Sequence, residues 1–159
     1  MLALLVLLAA AHGGPALARL TDADVRVFVA RQEAAWNARD AKAWAAHFTL
    51  DARFVDQARG SDNSLVPNGT STLAEATAQA KRFFAKATFR ETAEVLRVEI
   101  APDGRSARVS ARETIRIEAA GGLPPRTLCT ETEHTLVLQG GRILSRGQTD
   151  TAVRCRATR

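Results

Sequence analysis

One stretch does most to limit what this chain can become: Ala34 to Asp56, AAWNARDAKAWAAHFTLDARFVD. It reads as the end of a helix, a turn, a second helix and then a strand that delivers a carboxylate. The first helix closes on the polar run Asn37-Ala38-Arg39, and Asp40 is placed to N-cap the next by accepting from its free backbone N–H groups. Ala41, Trp44, Ala45 and Phe48 then recur at i, i+3, i+4 and i+7, a single apolar stripe, and Asp51 breaks the helix. Beyond it Ala52, Phe54 and Asp56 share one strand face by period two. An acid at the end of an apolar strand face is a rim residue or a pocket residue, and the two have different consequences.

The surrounding chain repeats this order of helix first and strand afterwards. Thr21 heads a helix with acids in its first turn, and Val25, Phe28, Val29, Gln32 and Trp36 form its inward stripe, Gln32 being the one polar member. Residues 58–70, ARGSDNSLVPNGT, are rich in turn formers and read as a long loop, either a lid or rim beside Asp56 or a loose surface segment. Thr72-Leu73-Ala74-Glu75 is a capping-box signature, and the helix behind it runs to about Ala87. From Phe89 the period changes to two: Leu96, Val98 and Ile100 alternate with Arg97 and Glu99 up to a Pro102-Asp103-Gly104 turn. The next strand sets Ala107, Val109, Ala111, Ile115 and Ile117 on one face with Glu113 among them. After a loop at Gly121-Gly122-Leu123-Pro124-Pro125, two last strands flank Gln139-Gly140-Gly141-Arg142. Three helices followed by long antiparallel strands predict an α+β roll: a helix layer on a strongly curved, mostly antiparallel sheet, forming a cone with one open mouth. Trp36, Trp44, Phe48, Phe54, Phe83 and Leu96 are its expected buried residues.

The ends of the chain speak to compartment. Residues 1–18, MLALLVLLAAAHGGPALA, resemble a secretory signal peptide with an A-x-A cleavage site before Arg19, leaving 19–159 as a single domain, periplasmic or secreted. The apolar run falls short of the roughly 20 residues that span a bilayer, so no stable membrane anchor is expected after cleavage. Export makes Cys129 and Cys155 informative, since disulfides persist in oxidising compartments. A plain two-residue hairpin would set Cys129 opposite Ala152, three positions short of Cys155. A bulge would narrow that gap and permit a bridge; otherwise the two remain separate thiols. Net charge is +5 with a pI near 10.2, but the arginines are scattered and interleaved with acids. That pattern reads as solvated surface, not a nucleic-acid interface.

The W-N-A-R-D-A-K-A-W-A-A-H-F-T-L-D-A-R-F-V-D pattern resembles the nuclear transport factor 2-like superfamily, which includes the SnoaL-like proteins and ketosteroid isomerase. The resemblance extends more weakly over nearly all of the chain after residue 20. It implies the cone fold, a pocket for a small apolar or aromatic molecule, a homodimer formed through the sheet, and proton-transfer, isomerase or lyase chemistry without a cofactor. The fold also serves non-catalytic binding and dimerisation modules, so that alternative stands beside the enzyme. By the same resemblance Asp56 falls where isomerase-like members keep the carboxylate that moves a proton beside a carbonyl. His134 lies near the isomerase's buried oxyanion donor, although aligning one residue earlier puts Glu133 there. The isomerase's oxyanion tyrosine would fall near Gln32, and this chain has no tyrosine. The residues singled out are therefore Asp56 as base, His134 as its polarising partner, and Gln32, Trp36, Phe54, Glu113 and Glu133 as pocket lining. No phosphate loop, nucleophile elbow or metal-spaced histidine cluster occurs, so no metal site is expected.

Overall fold

The computed structural model describes residues 17–120 and 124–155. Most of the predicted signal segment and the Gly121-Gly122-Leu123 part of the predicted loop lie outside the described residues. In chain order the elements are α1 (Asp22–Asn37), α2 (Ala41–Ala45), β1 (Phe48–Arg59), β2 (Leu65–Thr72), α3 (Leu73–Lys86), β3 (Ala87–Ile100), β4 (Ser106–Ala120), β5 (Arg126–Gln139) and β6 (Arg142–Val153).

The helix starts are local chemistry, and all three expected caps are present. Thr21 and Asp24 form a reciprocal capping box on α1, and Thr72 and Glu75 form another on α3. Asp40 accepts from the N–H groups of Lys42 and Ala43 to start α2. That helix is one turn shorter than the apolar stripe predicts. Phe48 already belongs to β1, because its backbone pairs with Ser145 of β6 and the sheet claims it.

The six strands form one sheet in the order β2-β1-β6-β5-β4-β3, antiparallel except where β1 and β6, the first and last long strands, run parallel. Register shifts interrupt the ladders at Asp56/Gln57, Thr88/Phe89, Val95/Arg97 and Thr135/Leu136, and such bulges bend strands and sharpen their twist. The result is the expected α+β cone, with helices in the hollow of a curled sheet. The predicted 58–70 loop is mostly a β-hairpin. Only Gly60 to Ser64 turns, with Asn63 left-handed at φ 69°, and Leu65 to Thr72 pairs back along β1. The Gly140-Gly141 turn is the two-residue hairpin its sequence predicts, both glycines having positive φ (57° and 72°) as a type I′ turn requires.

The bulge at Thr135/Leu136 settles the cysteine question. It shifts the β5–β6 register by one, so Cys129 faces Val153 instead of Ala152, and Cys155 two residues on reaches it. The two are disulfide-bonded with their Cα atoms 5.2 Å apart, inside the normal span for a bridge. The bulge in β3 has the opposite effect on an expectation. Leu96 is the extra residue between the Val95–Ala111 and Arg97–Ser110 pairs, so it is turned outward and is 48% exposed, while Val95 joins Val98 and Ile100 against the core.

Apolar side chains gather in two main groups. Leu20, Val25, Phe28, Val29, Val109, Leu136 and Leu138 close the narrow end of the cone. Trp44, Phe48, Ala52 and Phe54 pack with Ala76 and Ala80 of α3. Of the six residues expected inside, Trp44, Phe48 and Phe54 are buried, Trp36 and Phe83 are half-buried, and Leu96 is exposed. The half-burial of Trp36 and Phe83 has a simple cause: both border an open cavity.

Candidate functional site

Trp36 and Asn37, at the end of α1, set one wall of that cavity, Trp36 by lining it and Asn37 by holding the neighbouring strand. Asn37 clamps the backbone of Glu91: its Nδ2 donates to the Glu91 carbonyl at 2.9 Å and its Oδ1 accepts the Glu91 N–H at 2.8 Å. One turn earlier, Glu33 Oε2 accepts the Ala93 N–H at 3.2 Å. Two side chains of α1 thus satisfy successive inward-facing residues of β3 and fix the gap between helix and sheet. Trp36 then stands over the opening, packed on Phe84 (ring centroids 4.7 Å), Trp44 (5.4 Å) and Phe83 (6.1 Å).

The cavity holds about 410 Å³, enough for a small ligand of a few fused rings. Trp36, Trp44, Phe54 and Phe83 form its apolar end. Its polar residues include Gln32 and Glu33 from α1, Asp56 from β1, Glu91 from β3, Glu113 from β4, and Gln148 and Asp150 from β6. Among the described residues, five acids line this space and no lysine or arginine does. Among the described residues, no three His, Cys, Asp or Glu side chains converge in a way that would hold a metal ion.

Register explains how the acids come together. On the concave face Asp56 is paired with Asp150, Asp150 with Thr132, and Thr130 with Glu113. Asp150 is the best held of them. Gln148 Nε2 donates to both its carboxyl oxygens, at 3.0 and 2.9 Å, and Gln32 Nε2 in turn donates to Gln148 Oε1 at 3.3 Å. Thr132 lies near both Asp150 and Glu113, only 1% exposed, and its hydroxyl makes no hydrogen bond of ordinary length.

Burial dominates the protonation of this group, because a charge inside the cone loses its hydration. It pushes Glu113 up to about 8, assisted by the neighbouring Asp150 and Glu33 carboxyls and opposed by Thr132. Asp150 rises to about 6 for the same first reason, held back by the Gln148 and Thr132 donors and raised further by Asp56. Glu91 is lifted well above the ordinary carboxyl range by burial and then by Glu113, Asp150 and Glu33.

The structure brings Asp56, Gln32, Trp36, Phe54 and Glu113 to the cavity, and it does not bring His134 or Glu133. Asp56 sits exposed at the mouth, so it is a rim residue of the pocket. His134 does take the inward parity, but it is 2% exposed in the core beyond the cavity. Its Nδ1 bonds Ser145 Oγ at 3.3 Å and its ring lies edge-on to Phe28 at 6.5 Å. Burial without a counter-charge lowers it to about 4. Asp56 and His134 are two strands and two register positions apart, roughly 11–12 Å along an undistorted sheet, so they form no dyad. Glu133 points to the convex face and is ion-paired there with Arg108 at 3.0 Å.

Asp150, Gln148, Glu91 and Glu33 are the members that reading the sequence missed. Glu91 was within reach, lying two residues after Phe89 on a period-two strand. Asp150 was not: Ser145 and Gln148 both face inward although they are three apart, because the bulge inserts a residue between them.

No family model matches the sequence, and no curated protein matches it. Solved structures match its fold over most of their length. A conserved protein from Planctomyces limnophilus DSM 3776 is 14% identical with a TM-score of 0.69, covering 83% of this chain and 95% of its own. A ketosteroid isomerase-like protein from Erwinia carotovora atroseptica SCRI1043 is 14% identical with a TM-score of 0.64, over 84% and 96%. Aln2 from a Streptomyces species is 24% identical with a TM-score of 0.60, over 82% and 89%. The chain therefore has the fold of the nuclear transport factor 2-like superfamily, in which ketosteroid isomerase-like and cystatin-like proteins share one α+β cone.

Proposed function

We propose that the cone binds a small, largely apolar molecule and moves a proton on it without a cofactor, in isomerase or lyase chemistry. The observation that carries this reading is the pairing of unlike carboxyls in one apolar cavity. Asp150, oriented by Gln148 and Gln32, is mostly ionised near neutral pH, and Glu113 is mostly protonated. Two acids whose environments separate their protonation in this way suit the roles of base and acid in a single turnover. Asp150 takes a proton from the carbon beside a carbonyl, and Glu113 donates to the oxygen as charge develops there. Asp56 at the mouth keeps Asp150 from becoming too weak a base by raising it further.

Deuterium exchange beside the carbonyl of a bicyclic ketone such as tetralone, measured above the uncatalysed rate, tests this assignment. The catalysed rate should rise through pH about 6 and fall above pH about 8, as Asp150 ionises and Glu113 then loses its proton. Asp150→Asn should lower the rate by about 100-fold or more, the usual worth of a positioned general base. An Asp150→Asn protein that binds the ketone and exchanges it at the full rate would remove Asp150 from the mechanism.

We further propose that the protein is exported. The Cys129–Cys155 bridge suits an oxidising compartment. Protein recovered from the native cell envelope should begin near Arg19 and contain no free thiol. Recovery from the cytoplasm with Met1 intact and both thiols reduced would end the export reading.

A further inference from the structure

We propose that the cavity contains a cation subsite, formed by Glu91 and Glu33 on its α1–β3 wall and backed by Trp36, and that its ligand is a small amphiphile bearing a protonated amine on a ring-containing apolar body. This rests on reading the cone as a ligand cavity, and it narrows the ligand class.

The first support is the sorting of charge. A chain with net charge +5 lines this cavity, among the described residues, with five acids and no base. A concave site with low-dielectric walls focuses that field on whatever enters. The second support is Glu91 itself. It is only 7% exposed and lines the cavity, yet among the described residues its carboxyl has no hydrogen bond and no ion pair. Asn37 holds both its backbone N–H and its carbonyl, so the main chain that carries this carboxyl is fixed against α1. A buried carboxyl in that state carries an unmet preference that an ammonium group answers with a charge-assisted hydrogen bond. The third support is the aromatic wall. Trp36 and Phe83 line the same space, and an indole face attracts a cation within about 6 Å.

Charge balance at the subsite predicts a linked proton. The groups facing Glu91 are Glu33 from α1, Glu113 from β4 and Asp150 from β6, and all are acids. Arg39 lies over the Phe89 ring but does not line the cavity. Burial and these neighbouring carboxyls favour the protonated form of Glu91 in the empty cavity, and an arriving ammonium favours its ionised form, so binding is expected to release protons.

The probes are naphthylmethylamine, its trimethylated quaternary form, the neutral naphthylmethanol and anionic naphthoate, titrated calorimetrically against the full folded protein. The amine, which can donate a charge-assisted hydrogen bond, should bind at least about tenfold tighter than the alcohol. The quaternary cation, which has no N–H and is held by charge and the aromatic face alone, should also bind tighter than the alcohol, and naphthoate weakest of all. Heats in two buffers of different ionisation enthalpy should report proton release, and the quaternary cation, whose charge cannot titrate, should bind tighter at higher pH. Glu91→Gln should erase the preference for the cation over the alcohol and the proton release, while the alcohol still binds. If Glu91→Gln fails to fold, the two-buffer and pH series on the unaltered protein decide alone. Equal or tighter binding of the alcohol would overturn the cation subsite and leave the cavity reading standing. No binding of any probe would overturn both.

Discussion

Phe48→Ala is expected to destabilise the fold more than Trp44→Ala, by about 4 against about 3 kcal/mol, although tryptophan is the larger side chain. Both are buried, and their rings are 4.8 Å apart in one aromatic cluster with Phe54. They differ in what lies on their other sides. Trp44 lines the cavity, so truncating it widens a hollow that is already there. Phe48 has close-packed neighbours only, including Phe54 at 4.8 Å and the His134 ring at 6.4 Å, and it starts the strand that pairs in parallel with β6. Its removal leaves a new void in a region that cannot relax without moving β1. Urea unfolding of the two variants, with unchanged denaturant slopes, measures the difference. The reverse order would mean that Trp44 is packed on all sides and that the cavity beside it is closed in solution.

What the sequence made legible was whatever a few neighbouring residues decide. Thr21, Asp40 and Thr72 each cap a helix with atoms no more than three residues away, and all three were readable. The inward face of β4, from Ala107 through Glu113 to Ile117, was readable because no bulge interrupts its pairing with β5. Where long-range pairing decides, local pattern misled. Leu96 has the periodicity of a core residue, but it is the extra residue of a bulge. Residues 65–72 have the composition of a loop, but β1 offers them a free edge and they pair. The parallel contact between β1 and β6 joins segments nearly a hundred positions apart, and nothing local in either announces the other.

The candidate site divides along the same line. Asp56, Gln32, Trp36, Phe54 and Glu113 were assigned by face and parity, Asp56 and Gln32 also by the resemblance, and each lines the cavity. His134 was also read with the correct parity, yet parity says which face a residue is on and not how far along the cone it lies. Its depth is set by the β5–β6 register, which places it beside Ser145 at the closed end. The same bulge hid Asp150. One irregularity in one ladder thus moved the centre of the site from an Asp56–His134 pair to a group of carboxyls.

That group should make the fold lose stability as pH rises from about 6.5 to about 8, a range in which many proteins change little. The folded state raises Glu113 from 4.5 to about 8 and Asp150 from 3.8 to about 6, and it raises Glu91 in the same direction, all chiefly through burial. Over those windows the folded protein therefore binds more protons than the unfolded chain, and stability falls with increasing pH. His134 opposes this at lower pH. Burial lowers it from 6.5 to about 4, so the unfolded chain binds the extra proton there, and its contribution is lost as pH falls through that window. Between about 4 and 6.5 the two effects partly cancel. From pH about 6.5 upward the opposing effect of buried His134 and half-buried His47 fades as they become neutral in the unfolded chain as well, so the decline should be clearest towards pH about 8. Urea midpoints at three values from pH about 5 to about 8 will show it. Glu113→Gln should flatten most of the upper part of the curve, because the amide keeps the shape of the protonated acid and has no proton to lose. Glu91→Gln should remove much of what remains. A curve that stays level or climbs from pH about 6.5 to about 8 would mean that water reaches these carboxyls freely. Neither the Asp150–Glu113 division of labour nor the buried cation seat would survive that result, since both depend on an interior dry enough to set apart the charges within it.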